Sequence, residues 1–151
     1  MNTESQQEGT SKNKMEKPNN VVFIPADFSG DFFRKWCLSL NFICKLSERE
    51  MDVTASLLRQ RELLSKSISD PKLLDTVLMT KEISQRIMDD CNITQQNLYV
   101  IMGNLRGKGV LTSKGINPLM IPDMKRGDNK YFQLVFLFEN TAAQENSPKT
   151  V

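Results

Sequence analysis

Residues 92–111, "NITQQNLYVIMGNLRGKGVL", hold signals that start, continue and end a helix. Thr94 stands at the start, where its hydroxyl can accept a hydrogen bond from a backbone amide of the first turn. Gly109 suits the left-handed residue that follows a helix. Apolar residues recur between them at helical spacing, namely Leu98, Ile101, Met102 and Leu105. The stretch therefore predicts an amphipathic helix over 95–108 with one face in the core.

Two further helices are predicted before this one. "TKEISQRIMDDC" (80–91) carries Ile83, Ile87 and Met88 at helical spacing, and it is joined to the next helix by a tight connection. Ser47 and Glu50 have the spacing of a capping box ahead of an earlier helix. The charged residues of that helix predict a solvated face: Glu48, Asp52, Arg59 and Glu62.

An aromatic-rich helix is predicted near the start of the chain, over 31–46, with Ser29 as its cap. We expect its apolar face either to join the core or to form a dimer interface. That face comprises Phe32, Phe33, Trp36, Cys37, Leu40, Ile43 and Cys44.

Short β-prone runs lie among and after the helices: "TVLM" (76–79), "VLTS" (110–113), "PLMI" (118–121) and "YFQLVFLFE" (131–139). The last three, separated by Gly115 and "PDMKRGDNK" (122–130), predict a small hairpin. The polar segments 1–20 and 140–151 predict disordered tails around a single domain over 21–139. The expected fold class is mainly α with a small β-wing (α+β).

Composition excludes several classes of function. The chain of 151 residues has a net charge of +2, so nucleic-acid binding must depend on local charge. There is no histidine, and the three cysteines are scattered, which argues against a zinc site and against His-dependent nucleophilic catalysis. We therefore expect no enzyme activity, no metal and no cofactor. We expect reduced thiols, no membrane span and a cytoplasmic location.

Two helices joined by a short connection and followed by a hairpin resemble a winged helix-turn-helix domain. "MTKEISQRI", "NITQQNLYVIMGNLRGKGVL" and "RGDNKYFQLVFLF" are similar to the domain of MarR-type transcription regulators, over about 46–138. The family resemblance implies a helix, a short strand, a helix, the recognition helix 95–108 and a two-stranded wing. It also implies duplex DNA as the partner.

The resemblance assigns the DNA contacts to two places. The first half of the recognition helix would enter the major groove, through Thr94, Gln95, Gln96, Asn97, Tyr99 and Val100. The wing tip would contact phosphates, through Lys125, Arg126 and Lys130.

The residues themselves support this chemistry. Gln and Asn amides can pair bidentately with adenine, and the free amides at a helix start can hold a phosphate. Between Thr94 and Lys130 there are six basic residues, including Arg106 and Lys108 near the end of the helix, against two acidic ones. We therefore include Arg106 and Lys108 among the DNA-contacting candidates.

Other features leave alternatives open. Gly103 and Gly107 lie on the outward side of the helix, and Asp89 and Asp90 near its start would repel phosphate. A winged-helix protein-interaction adaptor in a replication, transcription or virion assembly is therefore the second hypothesis. A replication-initiator fragment is the third, although such proteins usually carry two winged domains. A homodimer through the N-terminal helix is also open.

Overall fold

A computed structural model describes residues 20–124 and 130–142. The chain divides into two compact units, Met1–Met120 and Ile121–Val151. Over its described part, the first unit is mainly helical with a two-stranded antiparallel sheet. Its elements are α1 Phe32–Ser39, α2 Asn41–Cys44, α3 Glu48–Ser65, α4 Pro71–Leu78, α5 Lys81–Cys91, α6 Gln95–Gly107, β1 Leu111–Thr112, β2 Gly115–Ile116 and a 3-10 turn Pro118–Met120.

Helix α3 is the centre of the first unit. The predicted capping box starts it: the Ser47 hydroxyl accepts from the Glu50 amide at 3.2 Å, and the Ser47 amide donates to the Glu50 carboxylate at 2.9 Å. Helices α1, α4, α5 and α6 all pack against α3. Because neighbours surround it, α3 buries more than one face.

The prediction of a solvated face on α3 is therefore only partly correct. Glu48 is exposed, but Asp52, Arg59 and Glu62 are half-buried. Polar residues are buried as well, and Thr54 satisfies its hydroxyl by donating to the Glu50 carbonyl at 2.7 Å. The prediction missed this burial because a hydrophobic stripe marks one packing face, whereas α3 packs on several.

The prediction of one continuous helix over 31–46 is wrong. α1 ends at Ser39, and α2 ends at Cys44, followed by Lys45 with a left-handed φ of 54°. The Asn41 side chain bonds both backbone groups of Leu46, accepting at 2.7 Å and donating at 3.2 Å, which stabilises the turn that follows. Ser29 is not the cap either, because its hydroxyl donates to Asp27 at 2.7 Å.

The aromatic face of α1 belongs to the core. Phe32, Phe33 and Trp36 are buried, and the Trp36 indole donates to the Met120 carbonyl at 2.7 Å. Cys37 and Leu40 are buried too, whereas Ile43 on α2 is exposed. Dimerisation through this part of the chain stays a prediction.

The two helices of the predicted helix-turn-helix are present. α5 ends at Cys91, followed by Asn92 with a left-handed φ of 52°, and α6 begins after Thr94. The apolar faces meet the core as predicted, with Ile83, Ile87, Leu98 and Leu105 buried and Met88, Ile101 and Met102 half-buried. The left-handed φ of 79° at Gly109 agrees with the predicted helix stop.

The β-prone run at 76–79 does not form a strand, because residues up to Leu78 belong to α4. Asp70 caps this helix by accepting from the Lys72 amide at 3.2 Å, and Pro71 occupies its first turn. Leu74 and Leu78 then bury one face at four-residue spacing. Local start signals and burial outweigh the β-propensity of "TVLM", since that propensity depends on context.

The hairpin is shorter than predicted. β1 pairs with β2, with Leu111 opposite Ile116 and Thr112 opposite Gly115. "PLMI" is not a strand, because Asn117 accepts from the Leu119 amide at 3.1 Å and the following residues form a 3-10 turn.

The second unit has no assigned strand over 131–139, so that prediction is also wrong. High β-propensity specifies a strand only where a neighbouring strand is in register. The Lys130 ammonium lies 5.7 Å from the centroid of the Tyr131 ring. The predicted tails lie outside the described residues, apart from Asn20 and 140–142.

We expect Leu105→Ala to lower the free energy of unfolding by about 2–5 kcal/mol, because it leaves a cavity at a fully buried site. Chemical denaturation of both variants measures the loss. Val100→Ala, on the exposed side of the same helix, is the control and should change stability by no more than about 0.5 kcal/mol. Equal effects of the two substitutions would contradict the assigned orientation of α6.

Candidate nucleic-acid interface

The outer face of α6 gathers the residues that were predicted to read bases. Thr94, Gln95, Gln96 and Asn97 are all exposed at the start of the helix. Tyr99 is 78% exposed and Val100 is 54% exposed. The burial of Leu98 and Leu105 on the opposite side leaves this polar and aromatic face open to a partner.

The start of α6 has the features of an anion-binding helix end. The Thr94 hydroxyl accepts from the Asn97 amide at 3.2 Å, and the Thr94 carbonyl accepts from the Leu98 amide at 2.9 Å. The amides of Gln95 and Gln96 precede the first intrahelical bond and point out of the helix end. The helix dipole adds partial positive charge at this end, which favours an anion such as phosphate.

The outward glycines of α6 lie in open space. A Cβ atom added at Gly103 or Gly107 would meet no heavy atom within 4 Å. Tyr99, Gly103 and Gly107 are four residues apart, so they lie in line along the helix. Because no packing inside the described structure requires glycine here, the pair offers a flat strip that a partner backbone could approach closely.

The acidic end of α5 is partly neutralised. The Asp90 carboxylate accepts from the Ser56 hydroxyl at 2.9 Å and lies 3.6 Å from the Arg59 guanidinium. Asp89 accepts from the neutral Gln85 amide at 3.0 Å. The repulsion of phosphate expected from this pair is therefore reduced at Asp90, whereas the Gln85 partner of Asp89 carries no charge.

Lys108 holds the end of α6 against the start of α3. Its ammonium lies 2.5 Å from the Glu50 carboxylate and donates to the Lys45 carbonyl at 2.9 Å. Burial of the Glu50 carboxyl opposes ionisation, but hydrogen bonds from Lys108 and Ser47 outweigh it and lower the pKa of Glu50. The structure thus gives Lys108 internal partners, whereas Arg106 is exposed.

The residues of the predicted wing tip fall outside the first unit, which contains α6. Lys125 and Arg126 lie outside the described residues, and Lys130 belongs to the second unit. The turn of the observed hairpin instead carries Ser113 and Lys114.

A cleft of about 700 Å³ lies between α4, the end of α6 and the hairpin. We call it the basic cleft, because its lining includes Lys72, Arg106 and Lys114. Sequence reasoning did not single out Lys72 or Lys114 as site residues. The packing of α4 against β2, which brings these residues together, leaves no local signal in the sequence.

The three cysteine thiols are free, with Cys37 buried and the other two half-buried. None of the three is in a disulfide, and burial raises the pKa of Cys37 to about 12. Burial also raises the pKa of Cys44 and of Cys91. Across 20–124 and 130–142, no group of three or more potential metal ligands is placed to hold an ion. Over the same ranges, no helix has the length and apolar character needed to cross a bilayer.

Comparison with known proteins adds no relative to this description. No protein-family model, no curated protein and no solved structure matches the chain.

We expect Glu50→Gln to destabilise the protein at neutral pH and to flatten its response to acid. Because the pKa of Glu50 is lower when folded, its stabilisation is present above its unfolded value of about 4.5 and is lost as pH falls through the folded value. The neutral-pH loss should stay below the about 3–5 kcal/mol of a fully buried pair, since Lys108 is 36% exposed.

Melting temperatures between pH 7 and pH 3 test this expectation. The exposed Glu82, in the first turn of α5, supplies the control variant Glu82→Gln. The control should follow the wild-type curve. Parallel acid curves for wild type and Glu50→Gln would show that the Glu50–Lys108 pair does not stabilise the fold.

Proposed function

We propose that the chain is a non-catalytic duplex-DNA-binding protein, a small cytoplasmic transcription regulator of chromosomal, phage or plasmid origin. The observation that carries the proposal is the exposed start of α6. This polar surface, over 94–100, belongs to a helix whose other side is buried in the core.

The chemistry of this surface suits a major groove. The Gln95, Gln96 and Asn97 amides each offer a donor and an acceptor, the pair needed to recognise adenine bidentately. The free amides at the helix start supply phosphate contacts that orient the protein. In this proposal Arg106 adds charge, and Lys108 serves to position α6.

The winged helix-turn-helix assignment is part of the proposal. Its support is the order of α3, α5, α6 and the hairpin, which follows the order expected for a MarR-type regulator. Helix α4 stands where the family has a short strand, and the hairpin has only two residues in each strand. The role of Lys125, Arg126 and Lys130 as wing-tip phosphate contacts remains part of the hypothesis.

A protein-interaction adaptor is the second candidate. It is favoured by the strong exposure of Tyr99 and Val100, since an exposed aromatic residue is a common anchor in protein interfaces. The flat strip at Gly103 and Gly107 would allow a partner helix to approach. In this reading the same face of α6 binds protein.

We expect Gln96→Ala to weaken binding to a preferred duplex by about 1–3 kcal/mol and to leave binding to random duplex nearly unchanged. The preferred duplex is first selected from a random pool with the wild-type protein, and both affinities are then measured by fluorescence anisotropy. Asn104→Ala is the matched control, because Asn104 is an exposed amide on the second half of the same helix. An equal loss on both duplexes for Gln96→Ala would argue against base reading by this residue.

Salt-titrated binding of wild-type protein to generic duplex separates the two candidates. DNA binding through phosphates predicts an affinity that falls steeply with salt. Failure to shift any duplex at about 50 mM salt, where phosphate contacts are strong, would favour the adaptor. Tyr99→Ala would then be expected to abolish capture of the protein partner.

A further inference from the structure

The basic cleft is formed by three separate elements of the first unit. Helix α4 supplies one wall, the end of α6 supplies Arg106, and the hairpin supplies the other wall. Its lining residues are Lys72, Asp75, Thr76, Met79, Arg106, Leu111, Thr112, Ser113, Lys114 and Gly115. None of these was identified from the sequence as part of a pocket.

The cations of the cleft differ from the cations of the core. Arg34, Arg59 and Lys108 are each paired with carboxylates within the first unit. Lys72 and Arg106 lie on the cleft with exposed side chains, and no carboxylate oxygen of the described residues lies within 4 Å of their charged groups. The same holds for Lys114. Among the described residues that line the cleft, Asp75 is the one acidic residue against three cations, so this lining carries an excess of positive charge.

The hairpin wall of the cleft is stabilised by hydrogen bonds within its turn and by a close approach to α4. The Thr112 hydroxyl accepts from the Lys114 amide and donates to the Gly115 carbonyl, both at 3.2 Å. Gly115 has φ of 134°, and a Cβ atom there would lie 2.9 Å from the Asp75 carboxyl carbon. Only glycine therefore allows the hairpin to lie so close to α4. This contact places the hairpin turn, which carries Lys114, against the helix that carries Lys72.

We propose that the basic cleft binds a phosphate group. Three cations from three elements supply the charge, and the Ser113 hydroxyl supplies a neutral donor at the same wall. A phosphate group is negatively charged and would balance the excess positive charge of the cleft. Arginine is well suited to bind it, because the planar guanidinium group presents several donors to the phosphate oxygens. The phosphate can come from the backbone of a nucleic acid, in which case the inference rests on the proposed function, or from a free phosphorylated small molecule.

The test uses the full chain and a double variant, Lys72→Ala with Lys114→Ala. Its control is Lys66→Ala with Lys81→Ala, two exposed lysines outside the cleft, which changes the net charge equally. The first measurement follows backbone amide resonances of Ser113, Lys114 and Thr76 during titration with inorganic pyrophosphate. We expect saturable shifts at millimolar concentrations in wild type and control, and none in the double variant.

The second measurement is the salt dependence of binding to generic duplex. If the cleft takes one backbone phosphate, losing that phosphate contact makes the slope shallower by about 0.9 relative to the control. If pyrophosphate shifts the amide resonances saturably but the double variant keeps the salt slope of its control, the ligand is a free phosphorylated molecule and not a nucleic-acid backbone.

The proposal is overturned if pyrophosphate leaves the cleft resonances unmoved and the double variant binds duplex with the slope of its control. It is also overturned if the shifts persist in the double variant. Wild-type protein that binds no duplex removes the proposed function alone, because the pyrophosphate titration still decides whether the cleft binds phosphate.

Discussion

The ion pair between Glu50 and Lys108 sets the position of the helix that carries the candidate interface. Glu50 closes the capping box that starts α3, and the same carboxylate receives the ammonium from the end of α6. Because Glu50 is only 5% exposed, loss of Lys108 would leave a buried charge without its main partner. The pair therefore fixes the end of α6 to the central helix. The start of α6 is left to face outward.

Local signals predicted the helices around this pair well. The Ser47–Glu50 box, the Thr94 cap and the burial of Leu98 and Leu105 each depend on residues a few positions apart. The predictions failed where packing or neighbouring signals outweigh the propensity of the segment itself. Residues 76–78 are helical because Asp70 and Pro71 start α4 and because the resulting face is buried, not because of their own propensity. The strand expected over 131–139 failed for a related reason, since a strand needs a ladder and not only β-prone residues.

The candidate site shows the same division. The outer face of α6 could be deduced from the sequence, because the apolar residues of a helix specify its opposite face. The partner of Lys108 could not, because Glu50 lies 58 positions away along the chain. The same limit explains why the sequence offered Lys108 only as a DNA-contacting candidate and gave no sign of its internal partner. It also explains why the basic cleft was missed, since the cleft forms only when α4 meets the hairpin.

The two ends of α6 differ in what they can do, and the difference follows from their surroundings. The start has free backbone amides and exposed Gln and Asn side chains. These uncharged groups form directional hydrogen bonds, which are suited to distinguishing one base from another. At the end of the helix, Lys108 pairs with Glu50 and Arg106 lines the basic cleft. This end would therefore attract phosphate through charge, independently of base sequence. A phosphate in the cleft would contact the same rigid helix that presents the amides. Phosphate binding at the end of α6 would then set the position and angle at which the start of α6 meets its partner. Under the proposed function, specificity and affinity would thus arise at opposite ends of one helix, with the Glu50–Lys108 pair holding that helix in place for both.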